Sequence, residues 1–191
     1  MARRAVALAS AFALGCAVTA ADAPQLESQA RADFEAGRVA EALAAMQRVV
    51  ELAPDDAEVH FTLGVMALRT DRIDEAESEL ARAVALAPRN ARFPAAHGLA
   101  LRAQRRWRDA EGAFLRALLL EPGDASTIAA LGELYRLAGD PEKCALRYEQ
   151  FVWQLERRDA ETLGEGERRA LASARERVRE CDAATRSDPK R

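Results

Sequence analysis

Apolar residues fall along this chain at intervals of three and four, the spacing that buries one side of an α-helix. Cys144, Tyr148, Phe151 and Leu155 form one such stripe, and Leu171, Ala174, Val178 and Cys181 form another. No stretch alternates β-branched and polar residues, so the pattern carries no strand signal. A longer period overlies the helical one. Gly64, Gly98 and Gly132 stand 34 residues apart, as do Pro54, Pro88 and Pro122, and Leu52, Leu86 and Leu120. Ala42, Ala76, Ala110 and Cys144 repeat at the same distance. One period shared by independent sets predicts a tandem array of a single supersecondary unit. Turns such as Ala36-Gly37-Arg38 and Ala138-Gly139-Asp140 divide each unit into two helices, and the prolines end the second helix.

These positions resemble the tetratricopeptide repeat, a 34-residue unit that reads W-x2-L-G-x2-Y, then A-x3-F, then P. Residues 57–90 supply Leu63-Gly64, Ala76, Leu80 and Pro88, and residues 91–124 supply Gly98, Ala110, Phe114 and Pro122. Residues 125–158 supply Leu131-Gly132, Tyr135, Cys144 and Tyr148, while 23–56 hold Ala30 in place of glycine, then Ala42, Met46 and Pro54. The resemblance implies an all-α, right-handed solenoid of four helix-turn-helix repeats with a C-terminal capping helix. Small residues at repeat positions 8 and 20 are expected to bring the paired helices together, with the larger residue at position 24 filling space against the next repeat. Pro94 is expected to delay the first helix of the third repeat. Glu156 replaces the last proline, so the helix before it is expected to run past Leu155 toward Leu163, up to the break at Gly164-Glu165-Gly166. Residues 164–182 form the cap that the exposed stacking face of a solenoid requires, and 183–191 are expected to be a flexible tail.

The N-terminus has a different character. Arg3-Arg4 precede an uncharged apolar run, Ala5–Val18, and small residues follow to Ala20. Residues 1–20 therefore read as a signal peptide, too short for a permanent span, and predict export to a bacterial periplasm. Ala13-Leu14-Gly15-Cys16 resembles a bacterial lipobox, with Ala13 where leucine is usual. That resemblance implies lipidation of Cys16 and anchoring to the outer membrane; the alternative is a small apolar cysteine within the run.

Composition narrows the function. Hydrophobic residues make up 49%, charged residues 31%, and the formal net charge is −3, with no long basic run to suggest nucleic acid. The local cluster Arg105-Arg106-Trp107-Arg108 reads as a solvated turn, because Trp107 occupies the packing position held by Val39 and Ile73 in neighbouring repeats. No phosphate-binding, nucleophile-elbow or C-x-x-C motif occurs, and neither His60 nor His97 has a second ligand one helical turn away. No cofactor, metal or catalytic set is expected. The expected function is a non-catalytic protein-binding scaffold; a lipid-anchored accessory subunit that assists assembly of an outer-membrane complex is the alternative.

The resemblance also implies a binding surface on the concave face, lined by the first helix of each repeat. Carried over by repeat position, it comprises Arg31, Phe34, Phe61, Val65, Leu68, Arg69, Arg92, Leu99, Arg102, Glu133 and Arg136. The members of the family that clamp a terminal carboxylate need Lys, Asn, Asn, Lys and Arg where this chain has Glu27, Arg31, Thr62, Arg92 and Ala96, and only Arg92 is compatible. A protein or peptide partner with apolar anchors and acidic residues suits the lining, unless the arginines merely balance groove acids such as Glu133. The two apolar stripes matched antiparallel pair Cys144 with Cys181, a possible disulfide in an oxidising compartment. The competing placement has Cys144 facing Gly132 within its own repeat.

Overall fold

The computed structural model describes residues 19–158 and 162–187. The proposed signal segment through Val18, including Cys16, and the last four residues lie outside the described residues. After a 3-10 turn at Ala20–Asp22 come nine α-helices: α1 (Ala23–Glu35), α2 (Val39–Leu52), α3 (Ala57–Arg69), α4 (Ile73–Leu86), α5 (Arg92–Ala103), α6 (Trp107–Leu120), α7 (Ala125–Ala138), α8 (Pro141–Glu156) and α9 (Glu165–Ser187). No strand occurs among the described residues. Successive pairs α1–α2, α3–α4, α5–α6 and α7–α8 are the four repeats.

Local chemistry sets the helix ends. The Asp56 side chain accepts from the Glu58 amide, that of Asp124 from the Ser126 and Thr127 amides, and that of Asp140 from the Lys143 amide. Each carboxylate satisfies amides that have no partner in the first turn. Asn90 does the same for Arg92, and α5 starts at Arg92, one residue later in its repeat than its counterparts α1, α3 and α7. Between paired helices the chain turns through a left-handed residue at repeat position 15: Gly37, Asp71, Arg105 and Gly139, with φ between 60° and 81°. Only two of these are glycine, the residue that adopts this conformation without steric cost.

Packing at position 24 goes beyond the expectation. The larger residue shares a cluster with the next repeat and also fills space inside its own repeat, against the glycine at position 8. A Cβ added at Gly64 would stand 2.6 Å from Leu80 Cγ, and one at Gly98 would stand 2.7 Å from Phe114 Cε1. A Cβ at Gly132 would stand 3.1 Å from Tyr148 Cε2. The missing methyl is the space that the larger side chain occupies. In the first repeat Ala30 replaces glycine and the unbranched Met46 accommodates it, both wholly buried.

Two boundaries at the C-terminal end also differ. Helix α8 stops at Glu156 instead of continuing toward Leu163. Helix α9 extends through Ser187, so the first five residues of the expected tail are helical. Ala183 and Ala184 are strong helix formers with no breaker between them and Cys181, and the Thr185 hydroxyl donates to the Cys181 carbonyl at 3.0 Å. Helix α9 lies antiparallel on α8, joined through Arg158–Glu167 and Arg175–Glu156 ion pairs. Leu155, Leu163, Ala174 and Cys181 are buried with Tyr148 and Phe151 in one cluster, to which α6 and α7 also contribute. Separate clusters hold the first repeat against α3, and α3–α4 against α5.

Candidate protein-binding surface

Stacking at a fixed period places equivalent residues of adjacent repeats side by side. Arg69 therefore meets Glu35 across 34 residues, Nη1 to Oε1 at 2.7 Å, and Arg92 meets Glu58 across the same interval at 3.2 Å. Both guanidinium groups also lie over aromatic rings, Arg69 over Phe34 and Arg92 over Phe61, each 4.6 Å from the ring centroid. Phe61 in turn packs on Phe93 with centroids 5.1 Å apart. Arg31 pairs with Glu27 and donates to Thr62 Oγ1 at 2.7 Å. Arg136 grips Glu133 through Nε and Nη2 at 2.8 and 2.7 Å, and the Tyr148 hydroxyl donates to the same carboxylate at 3.1 Å. The Arg136 hydrogen bonds hold the Glu133 carboxyl below its ordinary range, so it is ionised.

Between these pairs runs apolar surface. Phe61, Val65, Leu68 and Leu99 are half-buried and packed on the core beneath. Arg102 differs from the other arginines of this face: among the described residues its side chain has no ion pair or hydrogen bond. It borders a recess of about 420 Å³ with Ala103, Arg105, Trp107, Glu133 and Leu137. Arg105 and Trp107 were not among the residues carried over by repeat position. A sequence signal for Arg105 exists, since it stands where Gly37 and Gly139 stand in the outer repeats. Trp107 is half-buried against the core cluster, and its neighbour Arg106 is taken by Asp109 and Glu77.

Outside this face the polar clusters are structural. His60 is buried, with Nδ1 2.6 Å from Glu79 Oε2 and Nε2 2.9 Å from the Pro54 carbonyl, so it ties α3 to α4 and to the preceding turn. His97 lies 3.3 Å from Glu77. No His, Cys, Asp or Glu cluster among the described residues could hold a metal, and no described helix is long and apolar enough to cross a membrane. Cys144 and Cys181 are joined in a disulfide with Cα atoms 6.0 Å apart. Both are buried, and the bridge fastens α9 to the last repeat.

The sequence model for the tetratricopeptide repeat matches residues 28–91, which span the helices carrying the Glu35–Arg69 and His60–Glu79 contacts. Residues 28–91 are tetratricopeptide repeats, and the chain has the fold of such an array. Solved structures extend this repeat fold beyond the matched segment. The tetratricopeptide-repeat array is similar to MamA (41-end) from Desulfovibrio magneticus RS-1, with 22% identity, a TM-score of 0.69, and coverage of 73% of this chain and 78% of that one. It is also similar to a mutant O-GlcNAc transferase of Thermobaculum terrenum, at 25% identity and a TM-score of 0.64, covering 71% of this chain but 26% of the enzyme. A third similar structure is the first TPR of Spaghetti (RPAP3) bound to the HSP90 peptide SRMEEVD, at 21% identity and a TM-score of 0.58, covering 63% of this chain and 98% of that one. No curated protein sequence matched the chain. Repeats of this type form protein-interaction scaffolds, and that coarse description holds for this chain.

Proposed function

We propose that this protein is a non-catalytic scaffold of the bacterial envelope that holds a protein segment along its concave face. The observation that carries the reading is the set of half-buried apolar residues Phe61, Val65 and Leu68 on the second repeat and Leu99 on the third, flanked by ion pairs. Such a row offers anchors for alternate side chains of an extended segment or one face of a helix. The peptide-bound Spaghetti repeats supply a precedent for a segment bound to this fold. Export is supported by the Arg3-Arg4 and Ala5–Val18 pattern and by the disulfide, a bond that persists in oxidising compartments. Anchoring through Cys16 is the second reading, motivated by Ala13-Leu14-Gly15-Cys16.

Two experiments test this. Cross-linking in cells with the protein as bait identifies a partner, and Val65→Asp with Leu68→Asp is then expected to abolish its binding to the purified chain. Unchanged affinity would remove the concave face from consideration. Mass spectrometry of the mature N-terminus separates a free Ala21 from a diacylated Cys16, and recovery of an intact Met1 from the cytosol would refute export.

A further inference from the structure

We infer that the recess between the third and fourth repeats is a subsite for an acidic side chain flanked by an aliphatic residue in the bound segment. The inference rests on the concave face being the binding surface, and it adds the chemistry of the occupant. Charge accounting along that face singles the recess out. Arg31, Arg69, Arg92 and Arg136 each face a carboxylate of this chain, so their charge is already neutralised. At repeat position 13 the Glu35–Arg69 pair gives way to Ala103 and Leu137, which leaves no acid to meet Arg102 there. Glu133 also lines the recess, but its carboxylate accepts from Arg136 twice and from Tyr148. Arg102 and Arg105 are left as unpaired guanidinium groups bordering one recess.

The same recess is also lined by apolar side chains. Trp107 presents its half-buried ring and Leu137 is 46% exposed, a large aliphatic group held in water. A guanidinium binds a carboxylate through parallel N–H donors, and partial enclosure strengthens that bond relative to water. The aliphatic neighbour of the bound acid covers Leu137 and Trp107. An internal acidic side chain suits the site better than a chain terminus, because Leu99, Leu68 and Val65 offer further apolar surface on the same face, outside the recess, for the rest of the segment. Arg105 brings a second guanidinium to the recess from the left-handed turn position, φ 60°, which Asp71 shares in the second repeat and glycine fills in the other two.

The test uses the purified protein and a phage-displayed library of random 12-residue peptides, in which no peptide has a free C-terminus. Selected peptides are expected to share Asp or Glu within one to three residues of Leu, Ile or Phe. As amidated synthetic peptides they should lose about tenfold in affinity when that acid becomes Asn or Gln. Arg102→Gln should cause a similar loss, while Arg69→Gln should change affinity less than about twofold. Arg105→Gly relieves the backbone, so it retains the fold, and it should weaken the same peptides. Binders that lack an acid and ignore Arg102→Gln, yet fail against Val65→Asp with Leu68→Asp, would overturn the subsite and leave the concave face intact. Recovery of no groove-directed peptide would overturn both. A single-stranded oligonucleotide that binds and is lost on Arg102→Gln would also overturn the assignment, in favour of nucleic acid.

Discussion

The glycines at repeat position 8 do not all tolerate a methyl group equally. Alanine gains about 1 kcal/mol over glycine in a helix interior. At Gly98 the new Cβ would stand within 3.0 Å of three Phe114 ring atoms, and Phe114 is wholly buried, so the ring has nowhere to move. Overpacking costs about 1–3 kcal/mol; three close contacts with a ring that has nowhere to move put this site at about 2–3 kcal/mol, so Gly98→Ala is expected to lower the unfolding free energy by about 1–2 kcal/mol net. At Gly132 the nearest Tyr148 atoms are 3.1–3.3 Å away, and a shift of a few tenths of an ångström relieves them. Gly132→Ala is expected to be neutral within about 0.5 kcal/mol. Urea unfolding of both variants checks the order; equal losses would mean that the aromatic contact does not decide it. The two tyrosines offer a second residue-scale test. Burial first, and then the neighbouring acids Glu133 for Tyr148 and Glu111 for Tyr135, push both phenols up to about 12. A raised phenol contributes stability that is full below the unfolded value of about 10 and is lost as pH rises toward the folded value. Absorbance of tyrosinate at about pH 10.5 should therefore be small in the native protein and rise when urea is added. Equal signals in the two states would show that neither hydroxyl is protected.

At the scale of elements, the helix pairs were legible because glycine in the first helix, alanine in the second and proline after it recur at one period, and each does a job that few other residues can do. What a single repeat's pattern could not give was that the large residue at position 24 packs on its own repeat's glycine as well as on the next repeat. The pairing of Arg69 with Glu35 and of Arg92 with Glu58 was less legible still. Each charge looks like solvated surface until the stacking sets equivalent positions side by side, although the shared 34-residue interval was present in the sequence. Arg102 could be distinguished from its neighbours only after those pairs were known. The C-terminal limit of α9 was missed because polarity was read as fraying, whereas Ala183 and Ala184 favour continuation. The bridge between α8 and α9 can be tested cleanly. Cys144→Ala restores the residue that stands at the same place in the other three repeats, so the packing against α7 is kept and only the bond is lost. For the sequence separation of 37, loss of the cross-link should cost about 3–4 kcal/mol in urea unfolding. A reductant should have the same effect on the wild type and none on the variant.

The whole molecule is a row of neighbours with unequal ends. Helix α1 buries only Ala23, Ala30 and Phe34, and no described helix covers its outer side. At the other end α6, α7, α8 and α9 share one cluster and a disulfide. In a linear array stability is a sum of repeat and interface contributions, so opening begins where neighbours are fewest. Amide hydrogen exchange should be slowest in α7 and α8 and fastest, among the helices, in α1. A uniform profile would mean that the array unfolds as one block.

The alternation of sign along the stacking axis also bears on how such a chain can change length. Glu58 and Arg69 each meet an opposite charge on the adjoining repeat. If a gene duplication inserted a second copy of residues 57–90, Glu58 would face its own copy, and so would Arg69. Like charges would then oppose each other at both places, beside aromatic rings that hold the arginines in position. An exact copy of residues 57–90 is thus disfavoured by charge at both places, and a copy in which either position has already diverged is not.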